Sequence, residues 1–240
     1  MLKNSLYDGY NLYFYDEIYE KIGVKILNGD FKNIKIIKDT KRNYVALIEV
    51  DGKKYIYKEP RNEFRIPQRK FMSAFKDGEA LTTLKNIHRL IYGENLNYFA
   101  DVYLAINKRR NRMIESSILI MEYVEGRVDY EFIDKEIQVL KSIHEKGVYH
   151  GDFNPGNFLV TEDGHIKVID TQGKSMYFGK YRAHYDMLTM QIDSYNNMKY
   201  PYEKDIWYYL ALGMKKLKRI KLVEEIKGYK KKLRDRGWKI

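Results

Sequence analysis

The stretch that decides the fold is His150-Gly151-Asp152-Phe153-Asn154-Pro155-Gly156-Asn157, followed by Ile169-Asp170-Thr171-Gln172-Gly173. Between these two stretches the pattern predicts a β-hairpin, with its turn at Glu162-Asp163-Gly164. A hairpin returns the chain to its starting point, so polar side chains at its two ends are expected to lie close together. The three oxygen-bearing side chains concerned are those of Asp152, Asn157 and Asp170.

These side chains suit the transfer of a phosphoryl group from a nucleotide. Such a reaction is accelerated mainly by positioning and by cations. A carboxylate must accept the proton of the acceptor hydroxyl, and we assign this role to Asp152. Hard oxygen ligands must hold Mg²⁺, and we assign Asn157 and Asp170 to it. The alternative interpretation is three solvated polar residues in loops.

Composition narrows the classes of protein that the chain can represent. The 240 residues include 44 Lys+Arg, 33 Asp+Glu and no cysteine, and the formal net charge is +11. Without cysteine, a disulfide scaffold, Cys-ligated zinc and a thiol nucleophile are excluded. The positive balance suits an anionic partner. No apolar run approaches the roughly 20 residues of a membrane span, and residues 1–8 lack a signal core, so we expect a cytoplasmic location.

The first half of the sequence predicts a small antiparallel sheet and one main helix. Residues 1–30, rich in tyrosine, are interpreted as an ordered cap. Three strands are expected within 31–60, two of them joined by the turn Asp51-Gly52, and two further strands at 98–107 and 117–123. Between them, an amphipathic helix over 68–92 is predicted from six apolar residues at helical spacing: Phe71, Phe75, Leu81, Leu84, Ile87 and Ile91.

The second half predicts mostly helices. A helix over Tyr130–Lys146 is closed by Gly147, and the chain from Ala183 onward has a helical pattern. A basic stretch from Lys215 to Lys239 is either a solvated helix face or a docking surface for anionic headgroups or an acidic glycan. The fold class is therefore α+β, with an N-terminal sheet-rich lobe over 1–122 and a C-terminal helical lobe over 123–240.

The quoted motif resembles that of the protein-kinase-like superfamily, His-x-Asp-x-x-x-x-Asn followed by a hairpin and an Asp. Gly151 stands where protein kinases usually have Arg, which is similar to the small-molecule kinases of the superfamily. The resemblance implies a bilobal fold that uses ATP and Mg²⁺. It also implies that Lys58 grips the α- and β-phosphates and that Glu79 pairs with Lys58.

The same resemblance places a hinge between the lobes at Ile120-Met121-Glu122-Tyr123-Val124-Glu125-Gly126. It implies that Met121 forms a wall of the nucleotide pocket. The backbone C=O of Glu122 and the backbone N–H of Val124 would meet the adenine.

A closer resemblance is to the lipopolysaccharide core heptose(II) kinase family. It is carried by the tyrosine-rich cap, the hinge, Gly151-Asp-x-x-x-Gly-Asn-Phe158 and Ile169-Asp-x-x-Gly-Lys174. The resemblance implies a kinase that transfers the γ-phosphoryl group of ATP to a heptose of the inner core. The implied partners are ATP and an anionic glycolipid or sugar acceptor, with peripheral contact at the cytoplasmic face of the inner membrane. No nucleic acid is expected.

The chain also departs from the superfamily pattern. The loop Asp39–Asn43 contains no glycine, so the usual glycine-rich cover of the phosphates is absent, and Lys41 or Arg42 is the candidate replacement. Two alternatives therefore stay open: a kinase acting on another small molecule or a protein, and a pseudokinase that binds without turnover. A basic nucleic-acid-binding protein is a third interpretation, which no recognised motif supports.

Overall fold

The computed structural model describes residues 1–177 and 179–219, and the chain divides into two compact units. The first unit contains Met1–Arg127 and Leu159–Gly173. The second contains Val128–Phe158 and the described residues from Lys174 onward. The division of the chain into lobes over 1–122 and 123–240 stays a prediction; the compact units divide after Arg127, and residues 159–173 group with the N-terminal unit.

Among the described residues, the first unit contains a seven-stranded antiparallel sheet. The order across the sheet is β1-β2-β6-β7-β5-β4-β3. The strands predicted for 31–60 and 98–123 are present, and the N-terminal cap adds two more. Their bounds are β1 (Lys3–Tyr7), β2 (Tyr10–Phe14), β3 (Lys32–Asp39), β4 (Tyr44–Val50), β5 (Lys53–Glu59), β6 (Val102–Arg110) and β7 (Met113–Glu122).

The turn between β4 and β5 forms as predicted. Asp51 and Gly52 both have positive φ, 51° and 77°, as a two-residue type I′ hairpin requires. The turn fixes the register that pairs Lys58 with Val45 on β4, and Lys58 is also paired with Leu119 on β7. Local turn chemistry thus places Lys58 in the middle of the sheet.

The cap packs on this sheet through its helix α1 (Ile18–Leu27). Ile22 and Ile26 are buried with Leu12 of β2 in the core of the first unit. A Cβ on Gly23 would lie 2.6 Å from Leu12, so the absence of a side chain lets helix and strand approach closely. The prediction of an ordered cap is confirmed.

The single helix predicted over 68–92 is wrong. The structure has the short helices α2 (Asn62–Arg65) and α3 (Pro67–Met72), a 3₁₀ turn at Ser73–Phe75, and α4 (Glu79–His88). The break falls at Gly78, whose φ of +90° lies outside the helical region. The three α4 positions Leu81, Leu84 and Ile87 are buried as predicted, but Phe71 and Phe75 face solvent.

Four short strands lie outside the large sheet in the described part of the chain: β8 (Val148–Tyr149), β9 (Phe158–Val160), β10 (Ile166–Val168) and β11 (Lys174–Ser175). Strands β9 and β10 form the predicted hairpin, closed by a hydrogen bond from Thr161 N to His165 O of 2.9 Å. Within the second unit, β8 pairs with β11 in antiparallel register.

The helices of the second unit are α5 (Ile133–Glu145), α6 (Tyr181–Thr189) and α7 (Ile206–Lys218). Tyr208 and Ala211 of α7 pack against Leu188 of α6. In the described start of the basic C-terminal stretch, Lys215 is 6% exposed and pairs with Asp193 at 2.6 Å, whereas Lys216, Lys218 and Arg219 are exposed. Residues 220–239 of that stretch lie outside the described residues.

Candidate active site

Four of the predicted site residues of the first unit line one cavity. Lys58 reaches it from β5, Met121 from β7, Glu79 from the start of α4, and Asp170 from the segment after β10. Leu119 and Ala80 add apolar wall, and Pro60, Thr83, Thr171 and Gln172 complete the lining. The sheet and the hairpin thus bring together residues that are far apart in the sequence.

The central contact of the cavity joins Lys58 and Asp170. Lys58 Nζ lies 2.5 Å from Asp170 Oδ1. The Lys58 side chain is 16% exposed and that of Asp170 is 49% exposed, so the pair is open to solvent on one side. In the described structure the ammonium of Lys58 contacts Asp170, and it forms no ion pair with Glu79.

The segment that carries Asp170 is held against α4. Asn86 Nδ2 donates to Gln172 O at 2.9 Å, and Gly173 N donates to Thr171 Oγ1 at 3.2 Å. Gly173 has positive φ, and a Cβ there would lie 2.7 Å from a side-chain carbon of Leu90. Asp170 itself has φ of +54°, an uncommon conformation outside glycine. These contacts fix the place of the carboxylate at the cavity.

Glu63 is a residue of this site that sequence reasoning did not single out for a role. Its Oε1 accepts a hydrogen bond of 2.7 Å from Glu79 N, which lies at the start of α4. The side chain is buried, and burial raises the pKa of the Glu63 carboxyl above its usual range. The contact positions Glu79 relative to the cavity.

The predicted hinge residues lie at the end of β7. Met121 is 8% exposed and forms part of the cavity wall. Glu122 is the last residue of β7, and its carboxylate accepts from Asp101 N at 2.9 Å. Lys167 of β10 lies 3.5 Å from the same carboxylate. The chain leaves the sheet there, and Val124 follows in a half-buried position without regular structure.

The loop between β3 and β4, candidate cover of the phosphates, is compact. Thr40 N donates to Asn43 O at 3.0 Å, and Asn62 N donates to Arg42 O at 3.1 Å. Arg65 also donates to Lys41 O. The side chains of Lys41 and Arg42 are exposed. The role of these two cations stays a prediction.

In the second unit, the loop that contains Asp152 is organised by one buried carboxylate. Asp186 of α6 is 1% exposed and accepts from His150 N at 2.7 Å and from Gly151 N at 3.0 Å. His144 Nε2 lies 3.3 Å from the same carboxylate. Sequence reasoning missed Asp186, whose one signal was an acidic residue among the apolar positions of a helix.

Asp152 and Asn157 are joined within the same loop. Asn157 Nδ2 donates to the backbone O of Asp152 at 2.8 Å. His150 Nδ1 accepts from Asp152 N at 3.2 Å, so His150 holds the loop through hydrogen bonds, as predicted. Phe153 is fully buried against Phe158. The Asp152 carboxylate is exposed and accepts no hydrogen bond from the described residues.

Each of the two predicted metal ligands, Asn157 and Asp170, offers an oxygen that suits a hard divalent cation. The amide nitrogen of Asn157 is committed to Asp152 O, so the amide oxygen Oδ1 is the atom left for a metal. Asp170 contributes a carboxylate that is half exposed. Mg²⁺ usually keeps several waters and takes one or two carboxylates together with substrate phosphates. No group of three or more His, Cys, Asp or Glu side chains placed to hold a metal occurs among the described residues.

Comparison with known proteins identifies the family. A family model described as lipopolysaccharide core biosynthesis protein (WaaY) matches residues 1–229. The chain belongs to this family. The predicted resemblance is thereby confirmed, and with it the protein-kinase-like α+β fold and the assignment to lipopolysaccharide core biosynthesis as a phosphotransferase. Among the described residues, no helix is both long and apolar enough to cross a membrane.

The chain is also similar to individual heptose(II) kinases and, over a shorter stretch, to a protein kinase. A lipopolysaccharide core heptose(II) kinase WaaY of Escherichia coli is 26% identical over 244 residues, covering 95% of this chain and 99% of the relative. The protein of the same name from strain K12 is 31% identical over 155 residues, covering 59% and 65%. Mitogen-activated protein kinase 13 of Pan troglodytes is 34% identical over 76 residues, covering 32% of this chain and 20% of the relative.

Proposed function

We propose that the protein transfers the γ-phosphoryl group of ATP to a hydroxyl of a heptose in the lipopolysaccharide inner core. The observation that carries the proposal is the Lys58–Asp170 contact in a cavity that Met121 and Glu79 also line. A lysine and a metal-binding carboxylate at one apolar-walled cavity suit a nucleotide triphosphate with its cation. The acceptor is proposed from the name of the Escherichia coli heptose(II) kinase that this chain matches over 99% of its length.

In the first unit, the proposed roles concern ATP. Lys58 pairs with the α- and β-phosphates, and Glu79 orients Lys58 when the nucleotide is bound. Met121 contacts the adenine ring, which the backbone C=O of Glu122 and N–H of Val124 recognise by hydrogen bonds. Glu63 supports Glu79 by accepting its backbone N–H.

In the second unit, the proposed role of Asp152 is that of general base. It accepts the proton of the attacking sugar hydroxyl while the hydroxyl oxygen bonds to the γ-phosphorus and the bond to the β-phosphate oxygen breaks, releasing ADP. Asn157 Oδ1 and the Asp170 carboxylate are the proposed ligands of Mg²⁺, which when bound neutralises charge on the phosphates. Asp186 keeps Asp152 in place through the backbone of the preceding residues.

The proposed acceptor also implies a setting. An anionic glycolipid suits a chain with a net charge of +11. We propose that the protein works at the cytoplasmic face of the inner membrane and contacts its surface peripherally. This makes the partners ATP, the glycolipid acceptor and the membrane surface.

The decisive experiment is phosphotransfer with purified protein. The protein is incubated with ATP, with and without Mg²⁺, and with a heptose-containing core glycolipid from a strain that lacks the gene; mass spectrometry then locates any added phosphate. The proposal expects one phosphate on a core heptose, dependent on Mg²⁺. Phosphate on a different acceptor would contradict the assigned substrate.

A pseudokinase is the second candidate function, and the glycine-free loop Asp39–Asn43 favours it. It predicts ATP binding without release of ADP in the same assay. The complete set of Asp152, Asn157 and Asp170 favours the active enzyme, because binding alone does not require a general base.

A further inference from the structure

The segment 64–76 of the first unit has its polar and apolar sides reversed. Phe71, Met72 and Phe75 are 60%, 41% and 72% exposed, whereas Ser73 between them is 3% exposed. A helix on the surface of a soluble protein normally turns its apolar side inward. The rings of Phe71 and Phe75 contact each other edge to face, with 5.6 Å between their centroids. Together they form a small apolar surface, which we call the Phe71–Phe75 surface.

The reversal is held in place by hydrogen bonds. Ser73 Oγ donates to Lys70 O at 2.6 Å and accepts from Ile114 N of β7 at 2.9 Å. The Arg109 guanidinium donates to Ser73 O at 2.7 Å and to Lys76 O at 2.8 Å. The backbone of the segment is therefore tied to β6 and β7, and the three apolar side chains are kept on the solvent side.

Cations surround the Phe71–Phe75 surface. Residues 64–76 contain Arg65, Arg69, Lys70 and Lys76 and no acidic residue. Arg65 is used partly in a hydrogen bond to Lys41 O. The side chains of Arg69, Lys70 and Lys76 form no ion pair with any described residue, and Arg69 and Lys76 are exposed. Exposed apolar side chains among unpaired cations are typical of segments that lie in a membrane interface.

We propose that the segment 64–76 docks the protein on an anionic phospholipid surface. Phe71, Met72 and Phe75 enter the region between the headgroups and the acyl chains, and the cations of the segment contact lipid phosphates. The inference rests on the proposed function in one respect, since it assigns a place to the membrane contact proposed there.

A lipid surface fits this segment better than a protein partner. Two copies of the chain meeting through the same surface would bring four cations against four cations, which disfavours self-association. The apolar area comes from three side chains on less than two helical turns, which is small for a stable protein interface but sufficient for interfacial insertion. Each cation near an anionic bilayer strengthens binding about fivefold, and salt weakens this contribution.

The experiment measures binding of the full-length protein to vesicles that contain no glycolipid. Sedimentation with phosphatidylcholine vesicles is compared with sedimentation with phosphatidylcholine/phosphatidylglycerol vesicles, at low and high salt. We expect binding to the anionic vesicles that weakens with salt. The double variant Phe71→Ser/Phe75→Ser is expected to lose about tenfold or more in affinity.

Leu6→Ser/Ile18→Ser is the matched control. Leu6 and Ile18 are also exposed, 71% and 55%, but Ile18 follows Asp16 and Glu17 and neither lies near a cluster of cations in the sequence. The control double variant should bind anionic vesicles as the wild type does. Circular dichroism confirms that all variants are folded.

Two results would overturn the inference: no binding of the wild type to anionic vesicles, or equal binding by wild type and Phe71→Ser/Phe75→Ser. Equal binding by wild type and double variant would point to another surface, such as the basic C-terminal stretch. If the protein bound an acidic protein and no vesicles, the Phe71–Phe75 surface would be assigned to a protein partner. Kinase activity on a deacylated, soluble core oligosaccharide separates the two proposals. That activity should be unchanged in the double variant, and its absence in the wild type would count against the proposed function and not against docking.

Discussion

Lys58 and Asp170 are 112 positions apart in the sequence and 2.5 Å apart in the structure. The family resemblance implied a role for Lys58, and the loop-and-hairpin motif indicated one for Asp170. Each residue also lies after a hairpin turn that the sequence predicted. It did not predict that the two would contact each other. A contact of such separation depends on the packing of the hairpin against the sheet, which no local pattern encodes.

The role of Asp152 is testable by a change that removes charge and preserves shape. Asp152→Asn is expected to lower kcat by about 10²–10⁴, since the amide cannot accept the hydroxyl proton. ATP affinity should change little, because the predicted role of Asp152 concerns the acceptor. Steady-state kinetics and nucleotide titration check both statements. Glu162→Gln, a loss of charge in the turn of the neighbouring hairpin, is the control; turnover by Asp152→Asn at the control rate would remove Asp152 from the role.

Asp170 should behave differently, because its predicted task is to hold the cation. Asp170→Ala removes both the proposed Mg²⁺ ligand and the partner of Lys58. We expect the Mg²⁺ concentration needed for half-maximal activity to rise, together with the KM for Mg-ATP. Titration of Mg²⁺ at fixed ATP measures the shift. Asp163→Ala, an exposed acid in the hairpin turn, is the control, and an unchanged Mg²⁺ dependence in Asp170→Ala would contradict the assignment.

At the level of elements, α6 acts on the Asp152 loop through a single side chain. Asp186→Ala leaves the buried N–H group of His150 and the less buried N–H group of Gly151 without their acceptor. An unsatisfied buried group costs about 1–3 kcal/mol, so the thermal midpoint should fall. If Asp186 has a purely structural role, only the thermal midpoint should fall. If it positions Asp152, kcat should also fall while ATP affinity stays unchanged.

Measurements for Asp186→Ala therefore combine thermal denaturation with kinetics at a temperature where the variant is folded. Asp134→Ala, an exposed acid of α5, serves as the control for loss of a helical carboxylate. A variant that melts earlier yet turns over at the wild-type rate would leave Asp186 with a structural role alone.

The elements divide into those with local signals and those without. The Asp51-Gly52 hairpin and the β9–β10 hairpin formed as predicted, because turn residues with positive φ act within a few residues. The single helix predicted over 68–92 was wrong, because the helix is broken at Gly78, whose φ is +90°. Apolar spacing also did not reveal which side of the segment finds a partner. Ser73 found that partner in Ile114 N, and the phenylalanines did not.

At the level of the whole molecule, family and fold were predictable because the loop motif and the hinge occur in a fixed order along the chain. The supporting residues were not. Asp186 and Glu63 act through backbone N–H groups 36 and 16 positions away, and such contacts leave no spacing rule in a sequence. The orientation of segment 64–76 was not predicted for the same reason, because it is set by a hydrogen bond from Arg109 on a distant strand.

The free energy of unfolding of the protein should depend on pH through one buried acid, Glu136. Glu136 of α5 is fully buried, and neither of its carboxylate oxygens has a hydrogen-bond partner among the described residues. Burial, helped by the charge of Asp129, raises the pKa of Glu136 to about 8. In the unfolded chain the same group titrates near pH 4.3. The folded state therefore holds its proton more tightly than the unfolded state does.

It follows that this group makes the folded state less stable as the pH rises from about 4 through 8, with the loss complete above the folded pKa. Glu136→Gln removes the ionisation, so its stability relative to the wild type should increase over that window by on the order of 1–4 kcal/mol. Thermal midpoints of both proteins from pH 5 to 9 measure the difference. Glu145→Gln on the same helix, where the side chain is exposed, should give a difference that is flat with pH. A flat difference for Glu136→Gln as well would mean that the buried carboxyl is already ionised in the folded protein at pH 5.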